Sequence, residues 1–180
     1  MSFKLKQKSK LFTRLMLYFL YRVLIRYFPN DFRPYAFFLP SLRNYIVGLI
    51  ILEAGKEIRV KFNADISPNI KVGDYSELGE RCLIYGGTEI GSEVLMGQDV
   101  KIFTQNHNFN DLEKSIRHQG NSFKKVVIGN DIWVCSNVVI LPGVQIGSHS
   151  VIASGSVVTK SFPPYSLIGG NPARLIKKRI

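Results

Sequence analysis

Large apolar residues recur every six positions along most of this chain. A period of six fits neither the 3.6-residue period of an α-helix nor a long alternating strand. The residue four positions after each of them is mostly small or β-branched, which predicts one short flat strand and one turn per hexad. We call the following residues the ladder: Val60, Ile66, Val72, Leu78, Ile84, Ile90, Met96, Ile102, Ile128, Val134, Ile140, Ile146 and Ile152.

Three hexads are expected to close one triangular coil, so ladder residues eighteen apart should stack. Val60, Leu78 and Met96 then share one column, and stacked coils bury an aliphatic core that a single repeat could not bury. A glycine directly follows many ladder residues, and we expect it to supply the backbone freedom that the turns need. The pattern therefore predicts an all-β solenoid.

The ladder is interrupted once, between Ile102 and Ile128. This spacing is not a multiple of six, so the chain must leave the coil as a loop insertion, at about residues 108–126, and then return. Ile128 is predicted to rejoin the column of Val72 and Ile90. Loops that leave a rigid scaffold often carry function.

The positions of the histidine and cysteine residues indicate which of them could act in catalysis or bind a metal. His107 stands where the insertion leaves the coil, whereas His118 lies within the insertion and His149 in a repeat turn, where both should be exposed. Cys82 and Cys135 are far apart and form no CxxC or Cys/His cluster, so we expect reduced thiols, no disulfide and no bound metal. His107 is the candidate catalytic residue.

Basic charge concentrates at the N-terminus. The net charge is +11, and residues 1–43 alone hold nine Lys and Arg against one acid. Leu11 to Phe28 is predicted to be a helix with Arg14, Arg22 and Arg26 on one face, and these arginines argue against a spanning helix. Tyr35 to Leu52 contains Pro40 and Gly48 and is expected to be short, broken structure.

Two interpretations of this N-terminal arm, residues 1–52, remain open at the sequence level. In the first, the arm caps the open end of the solenoid, which comprises residues 53–180. In the second, residues 1–28 lie on the anionic inner leaflet of the membrane. The two interpretations are compatible. No recognition motif supports nucleic acid as the partner. No signal peptide is evident, so we expect a cytoplasmic protein, with any membrane contact peripheral and at the inner face.

The repeats and the tail resemble the hexapeptide-repeat acetyltransferases. The resemblance rests on V-G-D-Y-S-E-L-G, I-G-S-E-V-L-M-G, I-L-P-G-V-Q-I-G and the ending P-P-Y-S-L-I-G-G-N-P-A-R. More narrowly, the chain resembles galactoside and maltose O-acetyltransferases and their relatives that modify capsule and other surface polysaccharides. The resemblance implies a left-handed parallel β-helix and a homotrimer with active sites between subunits. It also implies acetyl-CoA as the acetyl donor and a sugar or polysaccharide as the acceptor.

The resemblance also implies site residues. His107 matches the family's general base, and an imidazole is well suited to take a proton from a hydroxyl near neutral pH. The residues implied for coenzyme A are Trp133, Ser136, Ser154, Thr159, Lys160 and Arg174. For the acceptor, Glu77 and Tyr85 align roughly with contact positions of the galactoside enzymes, although the residue types differ, and Asn106 is a candidate because it is polar and adjacent to His107. Cys135 stands where the repeat normally has glycine, so it is not expected to act as a nucleophile.

Other functions remain as alternatives. The nearest is N-acetylation of an amino-sugar nucleotide, because the same base and donor site would serve an amine. A non-catalytic β-helix scaffold is disfavoured by His107 and the complete tail. A zinc carbonic anhydrase needs three converging histidines, and the three histidines of this chain are irregularly spaced.

Overall fold

The fold is a left-handed parallel β-helix of about six turns, preceded by two helices. The computed structural model describes residues 2–179, with side chains from residue 11 onward. Face A contains β1 (Glu53–Ala54), β4 (Lys71–Val72), β7 (Thr88–Ile90), β12 (Val126–Ile128) and β15 (Gln145–Ile146). Face B contains β2 (Arg59–Val60), β5 (Glu77–Leu78), β8 (Leu95–Met96), β13 (Trp133–Val134), β16 (Val151–Ile152), β18 (Ser166–Gly170) and β19 (Ala173–Lys178). Face C contains β3 (Asp65–Ile66), β6 (Leu83–Ile84), β9 (Lys101–Ile102), β14 (Val139–Ile140) and β17 (Val157–Val158).

The predicted stacking is confirmed by the strand register. Val60 pairs with Leu78 on face B, and Ile66 pairs with Ile84 on face C. Every ladder residue is buried, as are the small or β-branched residues four positions later. A fully buried aliphatic side chain contributes about 1.5–3 kcal/mol, so the ladder supplies most of the core of the β-helix.

The glycines that follow ladder residues have a different role from the predicted one. A Cβ on Gly73 would lie 2.6 Å from the backbone of the next coil, and Gly79, Gly91, Gly97, Gly129 and Gly147 are equally crowded. Positive φ angles instead occur two residues after these glycines, at non-glycine residues such as Tyr75 (56°) and Asp99 (60°). Glycine is therefore required because the corners stack closely, and the prediction of backbone freedom was wrong.

The insertion begins and ends in paired strands. β10 (Gln105–His107) pairs antiparallel with β11 (Asn121–Phe123), and a 3₁₀ turn, Ile116–His118, lies between them. Regular coil structure returns with β12, where Ile128 pairs with Ile90 as predicted. The insertion leaves face C and rejoins face A, so this hairpin stands at the corner between those two faces.

The N-terminal arm is more regular than the sequence indicated. It contains α1 (Ser2–Val23), a 3₁₀ turn (Ile25–Tyr27) and α2 (Leu39–Ile50). The prediction of broken structure between Tyr35 and Leu52 was wrong. Pro40 lies in the first turn of α2, where no intrahelical N–H is needed, and Gly48 is accommodated inside the helix.

The arm covers the free edge of the first coil. The Tyr21 hydroxyl is buried and donates to the Ala64 carbonyl at 2.7 Å. Side-chain oxygens of Asn44 and Asn30 accept the backbone N–H groups of Val60 (2.9 Å) and Phe62 (2.6 Å). These contacts satisfy one backbone acceptor and two backbone donors that an open sheet edge would leave exposed to other chains. Among the described residues, no helix is long and apolar enough to cross a membrane.

Candidate active site

His107 lies at the end of β10, with its side chain exposed. Its backbone pairs with Asn121 across the hairpin. Two contacts hold this hairpin against the corner between faces C and A: the Phe123 ring packs over Gly87, and the Lys124 side chain packs on Gly143. The His107 imidazole therefore lies on a hairpin that is packed against the corner between faces C and A.

Face B presents an apolar strip to solvent. Trp133 is 55% exposed and stacks between Leu95 and Val151, and Val151 stacks in turn on Leu167. The strip runs along the β-helix axis on the outer side of the face. A flat indole flanked by aliphatic side chains suits the extended, largely apolar arm of a thioester carrier.

Ser136 and Ser154 share the corner between faces B and C. The Gly155 N–H donates to the Ser136 carbonyl at 3.0 Å, so the two turns stack directly. Within the described residues, no backbone or side-chain acceptor receives the N–H of Ser136. The Ser136 nitrogen lies close to Gly97 of the preceding coil, where an added Cβ would be only 2.6 Å away. The corner therefore offers a free backbone donor beside the Trp133 strip.

The cationic candidates are divided between two places. Arg174 lies on β19, opposite Gly169, and is exposed at the end of face B. Thr159 and Lys160 follow β17 and are exposed at the corner between faces C and A, the corner that carries His107. The Lys160 ammonium lies 5.8 Å from the centre of the Phe162 ring. The predicted coenzyme A residues therefore do not form one cluster in a single chain.

The predicted acceptor residues are divided in the same way. Glu77 lies on face B in the column of Leu95 and Trp133 and forms an ion pair with Lys61 at 3.3 Å. Tyr85 and Asn106 belong to the corner of His107: Tyr85 packs edge-on against Phe103, and Asn106 pairs with Ser122 in the hairpin.

A cleft of about 520 Å³ adjoins the hairpin of His107. Its lining residues are Leu52, Ser67, Asn69, Tyr85, Gly86, Gly87, Thr104, Gln105 and Phe123. The volume is in the range of small-molecule sites, and the lining mixes two aromatic rings with amide and hydroxyl groups. Such a lining can contact both the faces and the hydroxyls of a carbohydrate.

The candidate site thus consists of two separate halves. One half, at the corner between faces C and A, holds His107, Tyr85 and the cleft. The other half, on face B and its corner with face C, holds Trp133 and Ser136. Because face B lies across the triangular prism from the first corner, one chain alone does not bring the base to the apolar strip.

Comparisons with known proteins agree with this architecture. The family model described as bacterial transferase hexapeptide (six repeats) matches residues 125–160. A candidate acetyltransferase of Staphylococcus aureus (strain COL) is 36% identical over 126 residues. That match covers 67% of this chain and 61% of the relative, so the chain spans less than two thirds of the curated relatives it matches first.

A maltose O-acetyltransferase from Clostridium difficile 630 has a similar structure, with a TM-score of 0.72 and 30% identity over 94% of this chain and 88% of that one. This chain belongs to the hexapeptide-repeat acetyltransferases. A galactoside acetyltransferase in complex with coenzyme A also superposes on this family member, with a TM-score of 0.70 and 25% identity over 95% of this chain and 81% of that one.

Cys135 in this hexapeptide-repeat protein is half-buried next to Ser154. Burial raises the pKa of its thiol above the ordinary value, although a hydrogen bond with Ser154 acts in the opposite direction. A thiol with a raised pKa is mostly protonated near neutral pH and is a weak nucleophile. In the described part of the chain, no group of three or more His, Cys, Asp or Glu side chains is placed to hold a metal ion.

Two residues of the site were missed at the sequence level. Leu95 extends the Trp133 strip, and its signal was available: it occupies the outward position before a ladder residue, where Arg59 and Glu77 are charged. Phe123 forms a wall of the cleft through its contact with Gly87. No periodicity marks Phe123, because its place depends on how the insertion folds back on β10.

Proposed function

We propose that this chain is an acetyl-CoA-dependent O-acetyltransferase that acetylates a sugar hydroxyl, at a site shared between two copies of the chain in a homotrimer. The observation that carries the proposal is the division of the site. His107 and the cleft lie at one corner of the prism, and the strip of Trp133 lies on the opposite face. A cyclic assembly can bring the corner of one copy to the strip of the next.

In this mechanism the acetyl group passes directly from sulfur to oxygen. The His107 imidazole takes the proton of the acceptor hydroxyl as its oxygen attacks the thioester carbonyl. The tetrahedral intermediate collapses with loss of the coenzyme A thiolate, which receives the proton from His107. The chain thereby ends with His107 in its starting state, and no acetyl-enzyme is formed.

The Ser136 N–H is the proposed oxyanion donor. It has no other acceptor among the described residues. A backbone donor fixed by stacked coils needs no reorganisation as charge develops on the carbonyl oxygen, and one such donor contributes about 2.7–4 kcal/mol to transition-state stability.

The remaining proposed roles follow from exposure and chemistry. Trp133, with Leu95, packs along the pantetheine arm, and Ser154 lies beside it at the next turn. Thr159, Lys160 and Arg174 offer a hydroxyl and cations for the nucleotide phosphates. Tyr85, Asn106 and Glu77 are the proposed acceptor contacts, and Glu77 would reach the acceptor from the neighbouring copy because it lies on face B.

The acceptor is proposed to be a sugar of a surface polysaccharide or glycolipid. The similarity to maltose and galactoside acetyltransferases supports a sugar hydroxyl, and the mixed aromatic and amide lining of the cleft suits it. An amino sugar remains the alternative, because an amine could occupy the same position as the hydroxyl.

The test is release of free thiol from acetyl-CoA with a panel of sugars and amino sugars, with the acetylated product identified by mass spectrometry. The wild-type chain should acetylate a hydroxyl, and His107→Ala should lower kcat by about 10²–10⁴-fold. His118→Ala is the matched control, since His118 lies in the same insertion and its exposed ring forms a hydrogen bond with Ser115. Full activity of His107→Ala would refute the mechanism, and transfer to amines alone would refute the proposed acceptor.

A further inference from the structure

Helix α1 turns its arginines toward the β-helix. The Arg14 guanidinium donates to the carbonyls of Ile50 and Pro68, both at 2.6 Å. Arg22 and Arg26 both contact the Asp65 carboxylate. Tyr21, on the same side, is fully buried. The polar side of helix α1 therefore packs against the rest of the chain and does not face solvent.

The opposite side of the helix is apolar and exposed. Phe12, Met16, Phe19 and Val23 follow each other at helical spacing, and each is more than half exposed. We call the following residues the outer face: Phe12, Leu15, Met16, Phe19, Leu20, Val23 and Leu24. Soluble proteins rarely expose a contiguous apolar patch of this kind without a partner for it.

The basic sequence that precedes the outer face favours an anionic partner. The first 30 residues contain no Asp or Glu, and Lys4, Lys6, Lys8 and Lys10 precede the outer face in the sequence. A second copy of this chain carries the same positive charge, so charge repulsion opposes pairing between two N-terminal segments. An anionic phospholipid surface offers the opposite charge together with an apolar interior for the aromatic side chains.

We propose that the outer face docks this chain on anionic membranes as an interfacial helix. The guanidinium groups of Arg14, Arg22 and Arg26 stay bound to the β-helix, so no arginine has to be desolvated by lipid. The outer face enters the boundary between headgroups and acyl chains, and the basic N-terminal sequence adds electrostatic attraction to an anionic surface. The active site is then held close to lipid-linked or membrane-bound acceptors.

Vesicle co-sedimentation of the full chain tests the proposal, using phosphatidylcholine vesicles with and without phosphatidylglycerol. The wild type should bind the anionic vesicles, and Phe12→Ser with Phe19→Ser should weaken that binding by about tenfold or more. Tyr75→Asn is the control, because Tyr75 is also exposed but lies on the β-helix at a φ of 56°. Replacing the four lysines by Gln should reduce binding to the level seen with neutral vesicles.

Folding and self-association are measured on the same samples. Unchanged circular dichroism and melting temperature are expected for the Phe variants, because both side chains are exposed. The proposal fails if the wild type ignores anionic vesicles or if the Phe variants bind them equally well. It also fails if those variants instead lower the oligomeric mass by light scattering, which would assign the outer face to a second copy. None of these readouts requires acetyl transfer, so this proposal and the proposed function can fail separately.

Discussion

The variant Gly97→Ala, compared with a matched glycine variant, tests whether Ser136 acts in catalysis as well as in the packing of the β-helix. In Gly97→Ala the new Cβ would lie 2.6 Å from the Ser136 nitrogen and 2.8 Å from the Ser136 hydroxyl oxygen. Ordinary contact begins at 3.4 Å, so the two turns must separate by about 0.8 Å. Overpacking of this size costs about 1–3 kcal/mol of unfolding free energy. It also displaces the Ser136 N–H that we assign to the oxyanion.

Gly129→Ala is the matched control. Its Cβ would lie 2.7 Å from both the nitrogen and the hydroxyl oxygen of Ser148, so its steric cost is nearly the same. Gly129 follows β12 and lies at the corner between faces A and B, where none of the predicted coenzyme A residues is found. The two variants therefore share a stability defect and differ in whether they disturb Ser136.

The assay combines urea unfolding with steady-state acetyl transfer below the unfolding transition. Both variants should lose similar stability. Gly97→Ala alone should lose about 10²-fold in kcat, the effect expected of a catalytic group displaced by nearly 1 Å. Equal kinetic losses in the two variants, or undiminished kcat in Gly97→Ala, would refute the assignment of Ser136 as the oxyanion donor.

Two further predictions concern the arm and the thiol. Tyr21→Phe should lower the unfolding free energy by about 1–3 kcal/mol in urea, because the Ala64 carbonyl loses its hydrogen-bond donor. Tyr18→Phe is the control, since Tyr18 is a half-buried tyrosine of the same helix. An unchanged urea midpoint for Tyr21→Phe would contradict the contact. Cys135→Ser should keep kcat within about threefold of the wild type. Burial raises the pKa of the Cys135 thiol, and direct transfer needs no thiolate. A loss of kcat as large as that of His107→Ala would indicate covalent catalysis.

The ladder was predictable because it depends on one physical requirement repeated many times. Each hexad must bury one large side chain, so the order of the columns up to Ile102 was enough to predict that Ile128 pairs with Ile90 across the insertion. The exit of the insertion at His107 followed from the same regularity. Both were available without any knowledge of tertiary contacts.

Contacts between distant segments could not be predicted in this way. Arg14 and Arg22 have helical spacing whether they face water or protein, and only the position of Ile50 and Asp65 decides between the two. From the sequence, Gly97 was expected to provide turn flexibility. The structure shows instead that Ser136 of the next coil approaches too closely for a side chain at this position. The division of the site between two faces likewise depends on the coil geometry.

The most direct test of the central claim is subunit complementation between His107→Ala and Trp133→Ala chains. Each variant alone should be nearly inactive at low acetyl-CoA concentration. If the base of one copy works against the Trp133 strip of the next, co-refolding equal amounts should restore about a quarter of wild-type activity, the share of interfaces in a random trimer that join two intact halves. A mixture no more active than its components would contradict a site shared between copies.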